Sequence, residues 1–320
     1  MRRIGLTAAL LAAALWPAGR AMAAGASQRG TSGAQFLQIE PGARPAGMGY
    51  AFAGVADDVQ AVYYNPAGLG NLTKVEATGM DDQYFQGINY SFAALSAPLL
   101  SWGNASEPKN AYGVLGAAVY NLSAGNIENR TSAETAAPVG TFSSEDYAYA
   151  LSYAYALADT GLALGASGKF IQSDLSGYNA HGFAADLGAL YKYESLSLGA
   201  GLRNLGPAYG FAGQADPLPL TLFAGAGWHI LPQWLVAAEA DLPRDNNASI
   251  SFGTEYVHVF SEKFSGTARA GYAKQNTDAG GLSGATFGAG LGYANFNFDF
   301  AFVPFGDLGN AYQYSIVVKF

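Results

Sequence analysis

The sequence predicts an all-β protein: a transmembrane antiparallel β-barrel of about fourteen strands, with an N-terminal plug, or hatch, lodged in its lumen. Three observations carry this reading. Of the 320 residues 50% are hydrophobic and only 12% are charged. That is about half the charge of an ordinary soluble domain, so part of the surface faces something other than water. From Leu72 onward, segments of roughly ten residues alternate large apolar side chains with polar or small ones, the pattern of strands that have two unlike faces. In the last segment Tyr312, Tyr314, Ile316, Val318 and Phe320 point one way and Gln313, Ser315, Val317 and Lys319 the other, and the chain stops at the phenylalanine.

The first 23 residues read as a secretory signal. Arg2 and Arg3 precede an apolar stretch over residues 4–16, Pro17 breaks it, and Ala21-Met22-Ala23 offers the small-x-small pattern of a cleavage site. Cleavage is expected after Ala23. Removing Arg2, Arg3 and Arg20 from the 16 basic residues leaves 13 against 24 acidic ones, a net charge of −11. That charge argues against a nucleic-acid partner. After Ala23 no run of eighteen apolar residues remains, which excludes a helical membrane protein. A closed barrel is the other way to cross a bilayer with every backbone amide paired.

The strands begin near Lys74, Tyr84, Ala111, Asp146, Gly161, Ala180, Ser195, Leu218, Gln233, Ala248, Lys263, Gly284, Asn295 and Ala311. An even count returns both termini to the same side, as single-chain outer-membrane barrels require. Phe296, Phe298, Phe300 and Phe302 alternate with Asn295, Asn297, Asp299 and Ala301, so one face is wholly aromatic. The opposite faces collect Lys169, Asp186, Lys192, Arg203, Glu239, Asp241, Glu255, Arg269 and Asp299. A soluble sandwich would have to bury the first set and expose the second. Connections on one side are very short, as at Glu194 and Ala294. On the other side they are long, as over residues 122–145 and 204–217, and only the stretch 98–110 breaks the asymmetry. Tyr112, Tyr120, Tyr191, Tyr193, Trp228, Tyr272 and Tyr293 fit girdles at the membrane–water interfaces. Tyr314, Ile316, Val318 and Phe320 look like the signal by which the outer-membrane assembly machinery recognises its clients.

Residues 24–71 do not alternate, which divides the chain into a signal (1–23), a plug segment (24–71) and a barrel (72–320). Strands about 4.8 Å apart and tilted about 40° close fourteen-fold into a ring roughly 28 Å across, or nearly 20 Å inside the side chains. A glycine-rich segment of moderate apolarity placed before the first strand is a suitable stopper for such a lumen. Within it Asp57 or Asp58 is placed to cap a short helix running to Tyr64, and Asn65-Pro66 to end it.

The run Thr31-Ser32-Gly33-Ala34-Gln35-Phe36-Leu37, the glycine-arginine stretch to Gly49, Ala56-Asp57-Asp58 and Asn65-Pro66-Ala67-Gly68-Leu69 resembles the opening of the PorV/PorQ family. That family is similar in turn to the FadL-type long-chain fatty-acid transporters, which share an Asp-Asp and Asn-Pro-Ala arrangement. The resemblance covers roughly residues 30–72. It implies a fourteen-stranded barrel plugged by an N-terminal hatch, with Asp57, Asp58, Asn65, Pro66 and Ala67 as the plug motif.

Catalytic chemistry is absent from the pattern: there is no nucleophile elbow, no His-Glu-x-x-His, no phosphate loop and no cysteine. His181, His229 and His258 fall on different strands with no ligand-like partner spacing, so no metal or cofactor is expected. Asp57-Asp58 reads as a cap and Asp81-Asp82 as a solvated turn rather than calcium ligands. The expected function is non-enzymatic: passage or binding of a small hydrophobic molecule in the outer membrane when the plug rearranges. Gly113 and Gly116 of the third strand are placed to permit a kink and a side opening. The alternative, implied by resemblance to PorV, is an accessory or shuttle component of a protein secretion system that docks secreted proteins on its outer loops. Expected partners are outer-membrane lipid, the barrel assembly machinery, and either the hydrophobic ligand or secreted proteins.

Overall fold

The structure, a computed structural model, describes residues 28–84, 87–99, 110–130, 137–211, 213–273 and 282–320. The signal and its cleavage point lie outside them. Sixteen strands follow in chain order: β1 Glu76–Gln83, β2 Ile88–Pro98, β3 Val114–Asn129, β4 Gly140–Ala156, β5 Leu162–Leu175, β6 Tyr178–Tyr193, β7 Leu196–Leu205, β8 Tyr209–Phe211, β9 Gln214–Asp216, β10 Thr221–Leu231, β11 Trp234–Pro243, β12 Ser249–Ser261, β13 Phe264–Ala273, β14 Ala285–Tyr293, β15 Phe296–Pro304 and β16 Asn310–Lys319. Fourteen of them form one closed antiparallel barrel, and β8 and β9 form a separate hairpin between β7 and β10. Closure joins the first and last strands, with Glu76 opposite Lys319 and Gln83 opposite Tyr312. A closed barrel leaves no sheet edge to satisfy, which is the condition for strands in lipid.

Alternation sorts the wall into two faces. Leu151 is 66% exposed and Phe183 62%, with Leu291, Phe296 and Phe298 also turned outward. Their strand neighbours Ser152, Asp186 and Asp299 are buried. An apolar surface wrapping the whole barrel far exceeds the patch a soluble monomer tolerates, so the outer face is the lipid face of a transmembrane barrel. Tyr314, Ile316 and Phe320 lie on it, and the backbone amide of Phe320 donates to the Val75 carbonyl beside the start of β1. Tyr112, Tyr193, Trp228, Tyr272 and Tyr293 are exposed as girdle residues should be. Tyr120 is the exception: it points inward and is 2% exposed, because it falls in the same phase of β3 as the inward Val114, Gly116 and Ala118.

The start of β1, the end of β16 and the two-residue turns at Glu194 and Ala294 share one end of the barrel, here the turn end. The other, loop end differs from the sequence expectation in two places. The stretch 122–145 is largely a ribbon: β3 runs on to Asn129 and β4 starts at Gly140, with a register shift between Ala124 and Ile127. Its side chains are polar, so alternation does not mark it, but backbone pairing outside a membrane needs no apolar face. Residues 204–217 likewise hold the β8–β9 hairpin. Asp81-Asp82, expected as a solvated turn, lies inside β1, where Asp82 is buried and accepts from Gln313 at 2.7 Å.

Candidate functional site

Residues 35–72 pack against the inward positions of the strands and contribute a large share of the core. This inner segment is irregular: a 3₁₀ turn Gln35–Gln38, short helices Ala43–Gly47 and Ala61–Tyr64, and a 3₁₀ stretch Pro66–Asn71. It fits because the wall is notched where the two backbones meet. A Cβ on Gly253 would lie 2.2 Å from the Met48 carbonyl oxygen, one on Gly199 2.2 Å from that of Ala53, and one on Gly165 2.4 Å from the Ala67 amide nitrogen. Only glycine permits such approach.

The motif residues fall within this segment, with roles beyond those read from the sequence. Asp58 Oδ1 accepts the Gln60 amide at 2.9 Å, but Gln60 is itself the residue at which the helix Ala61–Tyr64 starts, and no side chain caps that helix, so the expected cap is not formed. The dominant partner of the acidic pair is Arg44, which reaches Asp57 at 2.6 Å and Asp58 at 2.7 Å, and also Glu255 of β12 at 2.9 Å. Burial alone would push the Asp57 carboxyl up, but the Arg44 guanidinium outweighs it and holds the group below the usual carboxylate range. Arg269 extends the network to Glu255 (2.6 Å) and Asp299 (2.7 Å). Asn65 ends the helix as expected, and its fully buried amide also ties the segment to the wall. Nδ2 donates to the carbonyls of Ala53 (3.0 Å) and Ala189 in β6 (3.1 Å), while Oδ1 accepts the Ala67 amide. Pro66 and Ala67 lie against the Gly165 notch.

Gly113 sits in the turn before β3 at φ +84°, with no room for a side chain beside Ala154 and Tyr153. Gly116 pairs with Ser96 on one side and Ser152 on the other without a register shift, and its Cβ position lies 2.8 Å from Leu69. Pairing therefore runs unbroken through Gly116, and the glycine serves close packing of the inner segment rather than an opening in the wall.

Two cavities flank the segment. At the turn end a space of about 180 Å³ is lined by Arg44, Asp58, Glu255, Arg269, Asp299 and Lys319. At the loop end a larger one of about 650 Å³ is lined by Arg29, Gln38, Glu40, Arg203, Asp241, Asn246 and neighbouring residues, with Leu37 and Tyr63 also in contact. Arg203 forms part of its wall, bonded to Glu239 at 2.5 Å and Asp241 at 3.1 Å, with Glu40 at 3.7 Å and the rings of Phe223 and Tyr63 stacked at 4.6 and 5.6 Å. Leu37 and Tyr63 also wall a closed slot with Phe36, Tyr90, Tyr120 and Lys169, which has no space for even a water molecule. Tyr63 donates to the Leu37 carbonyl and Tyr90 to that of Ile39. The amides of Gln35 and Gln38 hold the Gln35–Gln38 turn on Asp245, at 2.6 and 3.0 Å.

Sequence reading identified the inward charges but missed this slot. Tyr63, Tyr90 and Tyr120 sit on three elements, and only the inward phase of Tyr90 and Tyr120 along their strands could have signalled it. Among the described residues no group of three His, Cys, Asp or Glu is placed to hold a metal ion.

A closed fourteen-stranded transmembrane barrel whose N-terminal portion packs against its inner wall is the class of protein this geometry defines. Among solved structures the chain is similar to the toluene transporter TbuX of Ralstonia pickettii, at 15% identity and a TM-score of 0.58 over 88% of this chain and 98% of that one. It is also similar to the toluene transporter TodX of Pseudomonas putida (14%, TM-score 0.56, 88% and 99%) and to a FadL homologue of Pseudomonas aeruginosa (12%, TM-score 0.52, 86% and 97%). At such identities the likeness establishes a shared FadL-like barrel fold. No family model and no curated protein matches the chain.

Proposed function

We propose that the protein is a non-enzymatic outer-membrane channel that admits a small hydrophobic molecule, with the inner segment acting as the plug that gates the lumen. One observation carries this reading: the loop-end cavity ends on Leu37 and Tyr63, and the same two residues roof a closed aromatic slot. A molecule moving inward has to displace the Gln35–Gln38 turn, whose side-chain anchors on Asp245 are two neutral amides. Rings and leucine below that point suit an apolar ligand. The likeness to two toluene transporters supports the same class of cargo.

Entry of the hydrophobic dye N-phenylnaphthylamine into outer-membrane vesicles tests it. Vesicles carrying the full chain are expected to take up the dye faster than vesicles with an unrelated closed barrel. Deleting residues 28–41, which precede the first glycine notch, is expected to raise entry several-fold further. Entry unchanged by both comparisons overturns the proposal.

A further inference from the structure

On the outer wall between β12 and β15 the lipid face is not smooth. Strand register sets Tyr256, Ala268, Ala289 and Phe300 side by side in one row across the four strands, and His258, Gly266, Leu291 and Phe298 in the next row toward the turn end. Aromatic rings or the His258 imidazole stand at the edges of both rows, while Ala268 and Ala289 fill the middle of the first and Gly266 leaves the second open beside Leu291. The result is an apolar groove of about 580 Å³ along β13, floored by Gly266, Ala268 and Ala289. Phe260 lies over Gly266 and stacks on Phe264 at 5.2 Å, which bounds the groove beside the β12–β13 turn. From there the groove reaches the middle of the four strands, so it lies in the turn-end half of the barrel.

The groove is continuous with the lipid face, and its shape selects the occupant. Strands of two barrels in contact would cross at about 80°, twice the tilt of about 40°, so no rib of a second copy can lie along a groove that follows β13. A flexible hydrocarbon chain can. Lipid tails are as apolar as the lining, so the gain is contact rather than the hydrophobic effect: a chain passing over the groove leaves a void, and a chain lying in it is touched on three sides. The turn joining β12 to β13 adds a second, independent sign. Between Phe260 and Phe264 it carries Glu262 and Lys263, both exposed. One anion and one cation thus stand where the headgroup of a chain in the groove emerges, the complement of a phosphate beside an ammonium.

We propose that this groove binds one zwitterionic phospholipid of the leaflet on the turn-end side. An acyl chain lies along β13 on Gly266, Ala268 and Ala289, the phosphate meets Lys263 and the ammonium meets Glu262. The site is on the outside of the wall and stands independently of the channel reading.

Native mass spectrometry of the full chain, released from detergent micelles after titration with dioleoylphosphatidylethanolamine, counts the lipid retained. Wild type is expected to hold one molecule. Ala268→Phe with Ala289→Phe fills the floor and is expected to lower retention at least about tenfold. Gly168→Phe adds the same ring elsewhere on the lipid face, where nothing lies within 4 Å of the Cβ position, and is expected to leave retention unchanged. Glu262→Gln with Lys263→Gln is expected to weaken retention of the phospholipid about fivefold and to spare dioleoylglycerol, which has the chains without the phosphate. Where the double phenylalanine variant does not fold, Gly266→Leu takes its place, since there only the mobile Phe260 ring, 2.9 Å from the Cβ position, has to give way. A wild type that retains no lipid, equal retention in wild type and the filled variants, or a wild-type dimer that the filled variants dissolve overturns the site. Equal loss of both lipids in the turn variant, or no loss of either, overturns the headgroup assignment.

Discussion

Packing of the inner segment against glycine notches makes it possible to dislodge it without touching a charge. Gly253→Val with Gly199→Val is the perturbation. Each new Cβ would lie 2.2 Å from a carbonyl oxygen of the segment, 1.2 Å short of the 3.4 Å at which ordinary contact begins. Wall and segment backbones must separate by about that much at both sites, because neither opposing atom is a flexible side-chain end: they are the carbonyl oxygens of Met48 and Ala53. Overpacking of this kind costs about 1–3 kcal/mol per site, so the pair destabilises the seated state by roughly 2–6 kcal/mol where the two add. The corresponding shift in population is on the order of 30-fold to 10⁴-fold. Valine is a good strand residue, so the barrel itself is expected to form and to keep its heat-modifiable mobility on a gel. Gly168→Val is the matched control, since Gly168 lies on the lipid face with nothing within 4 Å of its Cβ position. Single-channel recording in planar bilayers reads the outcome: frequent large openings in the double variant, wild-type behaviour in the control. A double variant that folds and stays as closed as the wild type refutes the argument that these contacts seat the segment.

Arg44→Met removes the cation shared by Asp57, Asp58 and Glu255 and leaves buried carboxylates facing one another. A loss of about 3–5 kcal/mol is expected, read as a lower urea midpoint for the heat-modifiable form; a midpoint within error of wild type would contradict the network. The same ion pair sets an acid limit. Burial raises the Asp57 carboxyl, but Arg44, aided by Lys192 and opposed by Glu255, leaves it below the usual range. A depressed folded value means that the stabilisation is present above the unfolded value of about 3.9 and is lost as pH falls through the lower folded value. Hydrogen exchange of residues 44–58 should therefore stay slow from pH 8 to about 5 and quicken only in stronger acid, and quickening near neutrality would count against this pair as the lock. On the outer face Leu151→Arg, at a side chain 66% exposed to lipid, is expected to cost about 2–4 kcal/mol near the bilayer midplane, measured as reduced folding into vesicles.

The wall was legible because lipid imposes one rule on every strand. Each outward side chain must be apolar, so alternation marks the fourteen strands and assigns Lys169, Asp186, Arg203, Glu239, Glu255, Arg269 and Asp299 to the inside without any knowledge of their partners. The partners were not legible. Arg44 and Glu255 lie 211 residues apart, and Arg203 and Glu239 lie 36 apart on strands that are not neighbours in the sheet. Local rules fail in the same way at Asp57-Asp58, where capping logic looks for the nearest free amide and finds Gln60, while the stronger attraction comes from a guanidinium 13 and 14 residues upstream. Where the lipid rule lapses, so does the reading: the β3–β4 ribbon pairs in water with polar side chains on both faces, and alternation gives no sign of it.

The polar phase of the strands and the irregularity of the inner segment are two sides of one requirement. Non-helical backbone at membrane depth is tolerated only where its amides and carbonyls find partners in protein or water. Here the wall supplies them one at a time. Glu239 accepts the amides of Phe52 and Ala53, Thr286 that of Gly49, Ser315 that of Ala43 and Glu76 that of Val59. These side chains come from four strands around the barrel, β11, β14, β16 and β1, so the segment between residues 43 and 59 is fixed from several directions at once. Before residue 42 the strands supply fewer anchors, the Tyr90 hydroxyl on Ile39 and Arg203 at 3.7 Å from Glu40, and the loops supply the rest: Asp245 on two glutamines, Asn246 on Arg29 and the Pro217 carbonyl on the Gly33 amide. On the proposed channel reading, motion that opens the lumen is therefore cheapest in residues 28–41, directly over the aromatic slot, and a ligand that releases this stretch would leave the seated remainder and its ion network in place.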